Sequence, residues 1–98
     1  MVAIFPKKDP RRSWGGYKFW FYPGEFIPPI NKSLKDLHIH VIGKAGDIRV
    51  YLNSDLKIEK KYRGIPEHKW GDIKAFIKKH YNYIISRVED KLRGSGNN

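Results

Sequence analysis

Two runs of strict alternation constrain this chain more than any other feature. Leu37-His38-Ile39-His40-Val41-Ile42 is followed by Gly43-Lys44-Ala45-Gly46 and then by Asp47-Ile48-Arg49-Val50-Tyr51-Leu52. Successive residues of a strand point to opposite faces, so Leu37, Ile39 and Val41 share one face and His38 and His40 the other. Ile48, Val50 and Leu52 continue the apolar row; Arg49 and Tyr51 continue the polar one. A short turn at the glycines pairs Ile42 with Asp47, His40 with Arg49 and His38 with Tyr51. A slip of one residue would put one apolar row against the other strand's polar row, so the pattern specifies a hairpin in this register. Its apolar face belongs to a core. Its polar face, with His, Arg and Tyr, is where chemistry is expected.

The flanking segments extend this hairpin. After Asn53-Ser54-Asp55, the run Leu56-Lys57-Ile58-Glu59-Lys60 alternates again. It sets Val50 beside Ile58, Tyr51 beside Lys57 and Arg49 beside Glu59. Upstream, Tyr17-Lys18-Phe19-Trp20-Phe21-Tyr22 is a strand on propensity, ended by Pro23-Gly24. Lys18 prefers water, so Phe19 and Phe21 are expected in the core, with Trp20 and Tyr22 on the histidine face. From Pro66 the spacing changes to three and four: Trp70, Ile73, Phe76, Ile77, Tyr81, Ile84, Val88 and Leu92 predict one long helix. Gly94 is its expected stop, with residues 94–98 a disordered tail. The reading is an α+β domain over residues 17–93: an antiparallel meander of three or four strands under a C-terminal helix. The helix, roughly 30–40 Å long, overhangs strands of about 20 Å. Ile84, Ile85, Val88 and Leu92 then need a cover, from a loop, a second copy of the chain or a partner.

Composition narrows the function. The chain has 98 residues, suiting one domain. It lacks cysteine, which removes disulfides and thiolate metal sites and leaves the cytoplasm as the default compartment. No apolar run approaches membrane-spanning length. Twenty Lys and Arg against ten Asp and Glu give a net charge of +10. Such a balance favours a polyanion or a small acidic protein as partner. The surplus is uneven. Residues 1–24 carry five positive charges and one negative, residues 25–53 four and three, and residues 54–98 eleven and six. Residues 1–16, with Lys7, Lys8, Arg11 and Arg12 among prolines and glycines, read as a basic arm, either solvated or contacting phosphate, with a short strand at Val2–Phe5.

Several motifs together resemble a family of small bacterial domains of unknown function, DUF4160. Its members read G-Y-[RK]-F-x-F-Y, then P-P-H-x-H-V, then a strand and a glycine before a terminal helix. Gly16-Tyr17-Lys18-Phe19-Trp20-Phe21-Tyr22 matches the first motif, and Gly64 with the final helix matches the end. Pro28-Pro29 and His38-Ile39-His40-Val41 match the second, but residues 30–37 separate them. The resemblance spans residues 16–92 and implies no established activity; it suggests membership of a toxin–antitoxin pair.

Three functions are compatible with these residues. The first is nucleic-acid binding on the polar sheet face through Lys18, Trp20, Tyr22, His38, Arg49, Tyr51 and Lys57, combining phosphate contacts with aromatic stacking. The second is capture of a partner by Ile84, Ile85, Val88 and Leu92. The third is metal-independent RNA cleavage, with Glu59 as base, His40 as acid and Arg49 holding phosphate. Against the third, Arg49 and Glu59 also make an ordinary cross-strand ion pair. His38 and His40, about 7 Å apart on one face, lack a third ligand at matching spacing, so neither a metal nor a cofactor is expected. His80, Tyr83, Arg87 and Lys91 form a stripe beside the helix's apolar face. It either meets phosphate or edges the core with buried stems.

Overall fold

A computed structural model describes residues 2–26, 37–60 and 64–97. The fold is α+β. Five antiparallel strands lie in the order of the sequence: β1 (Val2–Ala3), β2 (Lys18–Phe21), β3 (His38–Gly43), β4 (Gly46–Tyr51) and β5 (Ile58–Lys60). Two helices follow, α1 (Trp70–Lys79) and α2 (Tyr81–Asn97). Among the described residues, no helix is long and apolar enough to cross a membrane.

The central hairpin has the register its alternation dictates. His38 pairs with Tyr51, Ile39 with Val50, His40 with Arg49 and Ile42 with Asp47. Gly43 pairs with Gly46, leaving Lys44 and Ala45 as the loop. Gly43 is required by crowding, because a Cβ there would stand 2.9 Å from the Tyr17 ring. β5 pairs Arg49 with Glu59 and Val50 with Ile58. The turn before it closes through Leu56 N–H donating to Asn53 O at 3.2 Å, with Leu56 at a φ of 48°. A left-handed leucine costs roughly 1–2 kcal/mol, offset by the side chain, which is buried in the core.

Ile39, Val41, Ile48 and Val50 form the inner sheet face and pack with Phe19 and Phe21 against Ile73, Phe76, Ile77, Ile84 and Val88 of the helices. The single long helix is corrected to two. His80, at φ −108° and ψ 19°, interrupts it. Its carbonyl still accepts from Ile84 N–H at 3.0 Å, so the apolar stripe continues across the break. α2 also runs past Gly94 to Asn97.

The N-terminal segment departs most from expectation. Residues 1–16 are not a free arm. β1 adds a fifth strand, with Val2 opposite Phe21 and Ala3 opposite Trp20. Ile4 and Phe5 are buried in the core. Asp9 then caps a 3-10 segment, Pro10–Gly16, with its carboxylate accepting from Arg11 N–H at 2.9 Å and Pro10 in the first turn. Inside it, Trp14 (φ −53°, ψ 126°) and Gly15 (φ 64°, ψ 12°) have the angles of a type II turn, whose third position needs the positive φ that glycine tolerates.

This segment, with the Pro23–Phe26 turn packed against α2, supplies the cover that the helix needs. Ile84 and Val88 are 0% exposed within the chain itself. They are therefore core residues and offer no partner surface; Ile85 and Leu92 are partly buried against the same core. The stripe of His80, Tyr83 and Arg87 receives the N-terminal segment. Phe5 stacks on Tyr83, and Arg87 donates to Ile4 O. The Pro28-Pro29 motif, residues 30–36 and the basic loop at residues 61–63 lie outside the described residues.

Candidate nucleic-acid interface

The outer sheet face assembles the residues that alternation selects. Trp20, His40, Arg49 and Glu59 form one row across β2 to β5. His38 and Tyr51 lie in the next, with the backbone N–H of Tyr51 bonded to Lys57 O at 2.8 Å. Burial then separates these residues. His38 is 1% and His40 6% exposed. Phe26 lies against His38, and the Tyr22 and His40 rings meet edge to face with centroids 4.3 Å apart. His38 therefore has no side-chain surface to give a nucleic acid. A general acid must reach the leaving oxygen, and His40 is roofed. Sequence alternation assigns polar residues to water, and nothing local announces that aromatics from β2 and the following turn close over them.

The rest of that face is compensated in part, with Arg49 Nε buried and without a hydrogen-bond partner among the described residues. Tyr51 Oη donates to Glu59 Oε2 at 2.9 Å, and Arg49 Nη1 stands 3.9 Å from Glu59 Oε1. Burial, then the Glu59 acceptor, raise the Tyr51 hydroxyl above its ordinary pKa, so it stays a neutral donor. The exposed cations Lys18 and Lys57 share the face with Asp47 and Glu59. Among the described residues, no group of three His, Cys, Asp or Glu could hold a metal ion.

A second region gathers exposed lysines around one ion pair. The two parts of the chain with the largest basic surplus, residues 1–24 and 54–98, meet where the Pro10–Gly16 segment packs on α1. Trp14 stacks on Phe76 with ring centroids 4.3 Å apart and planes 16° apart. The Arg11 guanidinium lies 4.8 Å from the Phe5 ring centre and 4.3 Å from that of Tyr83. Asp9 holds it in place, accepting from Nε at 3.0 Å and from Nη2 at 2.6 Å. Arg11 Nη1 reaches His80 Nδ1 at 3.4 Å. Since guanidinium only donates, this contact requires His80 Nδ1 to be the acceptor.

Around this clasp, Lys7, Lys8 and Lys79 are exposed and form no ion pair among the described residues, whereas Lys78 lies on the other side of α1 beside Ser54, Leu56 and Tyr81. Asp9, the acid of residues 1–24, is occupied by Arg11, whose hydrogen bonds hold its carboxyl at about 2. Between Trp14 and α1 runs an open groove of about 590 Å³, walled by Pro10, Trp14, Ala75 and Phe76. Arg11, Lys79, His80 and Asp72 stand on its edges. The uneven charge along the sequence was the available signal for this surface; the packing that joins its two halves was not visible there.

Acid should loosen the clasp. Burial, then Arg11 and Lys79, lower the His80 pKa below its ordinary value of 6.5, against a smaller opposing effect of Asp9. The unfolded chain therefore binds a proton that the folded chain refuses. Stability falls as pH drops below about 6.5. The depressed Asp9 carboxyl contributes stability that is present above its ordinary value of 3.8 and lost as pH falls toward about 2. Thermal melts should show a falling midpoint between about pH 7 and pH 5, and His80→Gln should flatten that part of the profile. A wild-type midpoint that ignores pH there would contradict the clasp.

Comparison of the chain with protein-family models, curated proteins and solved structures finds no match in any of the three.

Proposed function

We propose that this chain binds nucleic acid through the surface where its N-terminal segment meets α1, rather than through the outer sheet face. One observation carries the reading: two basic segments far apart in sequence are clamped together by Trp14, Phe76, Arg11 and His80. Lys7, Lys8 and Lys79 beside them have no ion pair among the described residues, and the acid of residues 1–24 is already occupied. Phosphate contacts displace condensed counterions, and that release makes a polyanion a favourable partner for such a surface. The outer sheet face, by contrast, neutralises Arg49 with Glu59 and buries its histidines. We extend the proposal to a toxin–antitoxin setting, in which a small acidic protein would compete for the same lysines.

Binding of a labelled oligonucleotide measured across salt tests this. Replacing Lys7, Lys8 and Lys79 together by Ala should flatten the dependence of log affinity on log salt by roughly two to three units. Replacing Lys18 and Lys57 should leave it nearly unchanged. RNA should remain intact in EDTA. Binding that ignores salt, or that is lost through Lys18 and Lys57 instead, would overturn the assignment.

A further inference from the structure

We propose that the groove between the Pro10–Gly16 segment and α1 takes one unstacked base, so that the chain prefers single-stranded to duplex nucleic acid. The proposal rests on the basic surface being the binding surface, and adds what the groove selects. The groove, at about 590 Å³, falls within the roughly 300–1,000 Å³ typical of small-ligand sites. Its walls are aromatic and apolar. Trp14 is half-buried, with Phe76 stacked on it, so the indole is held in one orientation while part of it faces the groove. A preset aromatic plane of this kind stacks any base, since every base has a π-face.

Charge decides what enters. Lys79 stands on the edge, suited to a phosphate beside an inserted base, while Arg11 next to it is held by Asp9. Asp72 stands on the edge too, exposed and without an ion pair or hydrogen bond among the described residues. A carboxylate there repels a phosphate or an acidic side chain that tries to enter the groove itself. It accepts hydrogen bonds from a neutral group with N–H donors, such as the amino edge of adenine or cytosine. In a duplex those edges are paired and stacked, and the base cannot leave without unstacking. A single strand offers the base freely.

Ala75 gives the cleanest test. It is exposed on α1 and lines the groove, so Ala75→Glu adds bulk and a second carboxylate from the solvent side. An unchanged melting temperature would check this. A labelled oligoadenylate, a duplex carrying the same number of phosphates, and polyglutamate are titrated against both proteins. The wild type should bind the oligoadenylate on the order of tenfold more tightly than the duplex. Ala75→Glu should remove most of that preference while changing duplex affinity by about twofold or less. Equal affinity of the wild type for strand and duplex, or equal loss of both in the variant, would overturn the base-binding groove and leave the basic surface standing. Polyglutamate binding as well as either nucleic acid would overturn the basic surface as a nucleic-acid site, and the groove with it.

Discussion

Phe5→Ala is expected to lower stability by about 3–5 kcal/mol, the range for removing a buried phenyl ring. Phe5 is 1% exposed, and its ring meets four other elements of the structure at once. It packs edge-on to Phe19 of β2 at 5.6 Å and to Phe76 of α1 at 5.8 Å, and stacks on Tyr83 of α2 at 5.6 Å. Arg11 covers one side at 4.8 Å. Little of this cavity can collapse, because the surrounding groups are large rings held from separate elements. Each kcal/mol shifts the midpoint by roughly 4–8 °C in a domain of this size, so thermal unfolding should move down by more than about 12 °C. A free basic arm would predict almost no change. A shift below about 4 °C would show that the N-terminal segment does not belong to the core.

Arg87→Ala is expected to cost about 1.5–3 kcal/mol, the value of a hydrogen bond from a charged donor. Arg87 Nε donates to Ile4 O at 3.0 Å, and Nη2 reaches toward Ala3 O at 3.5 Å. The guanidinium thus ties the end of β1 to α2, while Ile4 N–H donates to Phe19 O at 3.0 Å on the other side. Without Arg87 the Ile4 carbonyl beside the buried Ile4 side chain loses its donor. The loss should be local. Amide exchange at Ile4 should accelerate more than at Ile39 or Val50 in the sheet centre. Arg87→Lys should restore part of the stability, since an ammonium can donate to one carbonyl but not span both. Uniform acceleration across the sheet would instead mean that Arg87 supports the whole core.

How legible these features are in the sequence depends on the range of the interaction. The hairpin and the register of its third strand are visible, because alternation and turn chemistry act over neighbouring residues and fix one register, although that strand is Ile58–Lys60 and Leu56 belongs to the turn. The helical stripe is visible for the same reason, but the break at His80 is not: Ile77 and Ile84 keep helical spacing across it. The apolar stripe reads as needing a cover, and Ile4 and Phe5, two apolar residues ahead of a charged run, join its core. Their partners, Phe76 and Tyr83, lie some 70 positions away, beyond any local pattern. The candidate site divides likewise. The row His40, Arg49 and Glu59 forms as read, yet burial of His40 depends on Tyr22 from another segment. The clasp of Arg11 and His80 has no sequence signature at all.

The dependence of Phe5 on α1 and α2 bears on how the chain is made. Ribosomes add about 5–20 residues each second, whereas a hairpin forms in about 1–10 μs. The β3–β4 hairpin can therefore form as it emerges. Phe5 and the basic residues behind it gain their docking site only when Phe76 and Tyr83 have left the exit tunnel, several seconds later. Until then Phe5 has no ring of α1 or α2 to pack against, so closure of the clasp must follow synthesis of both helices.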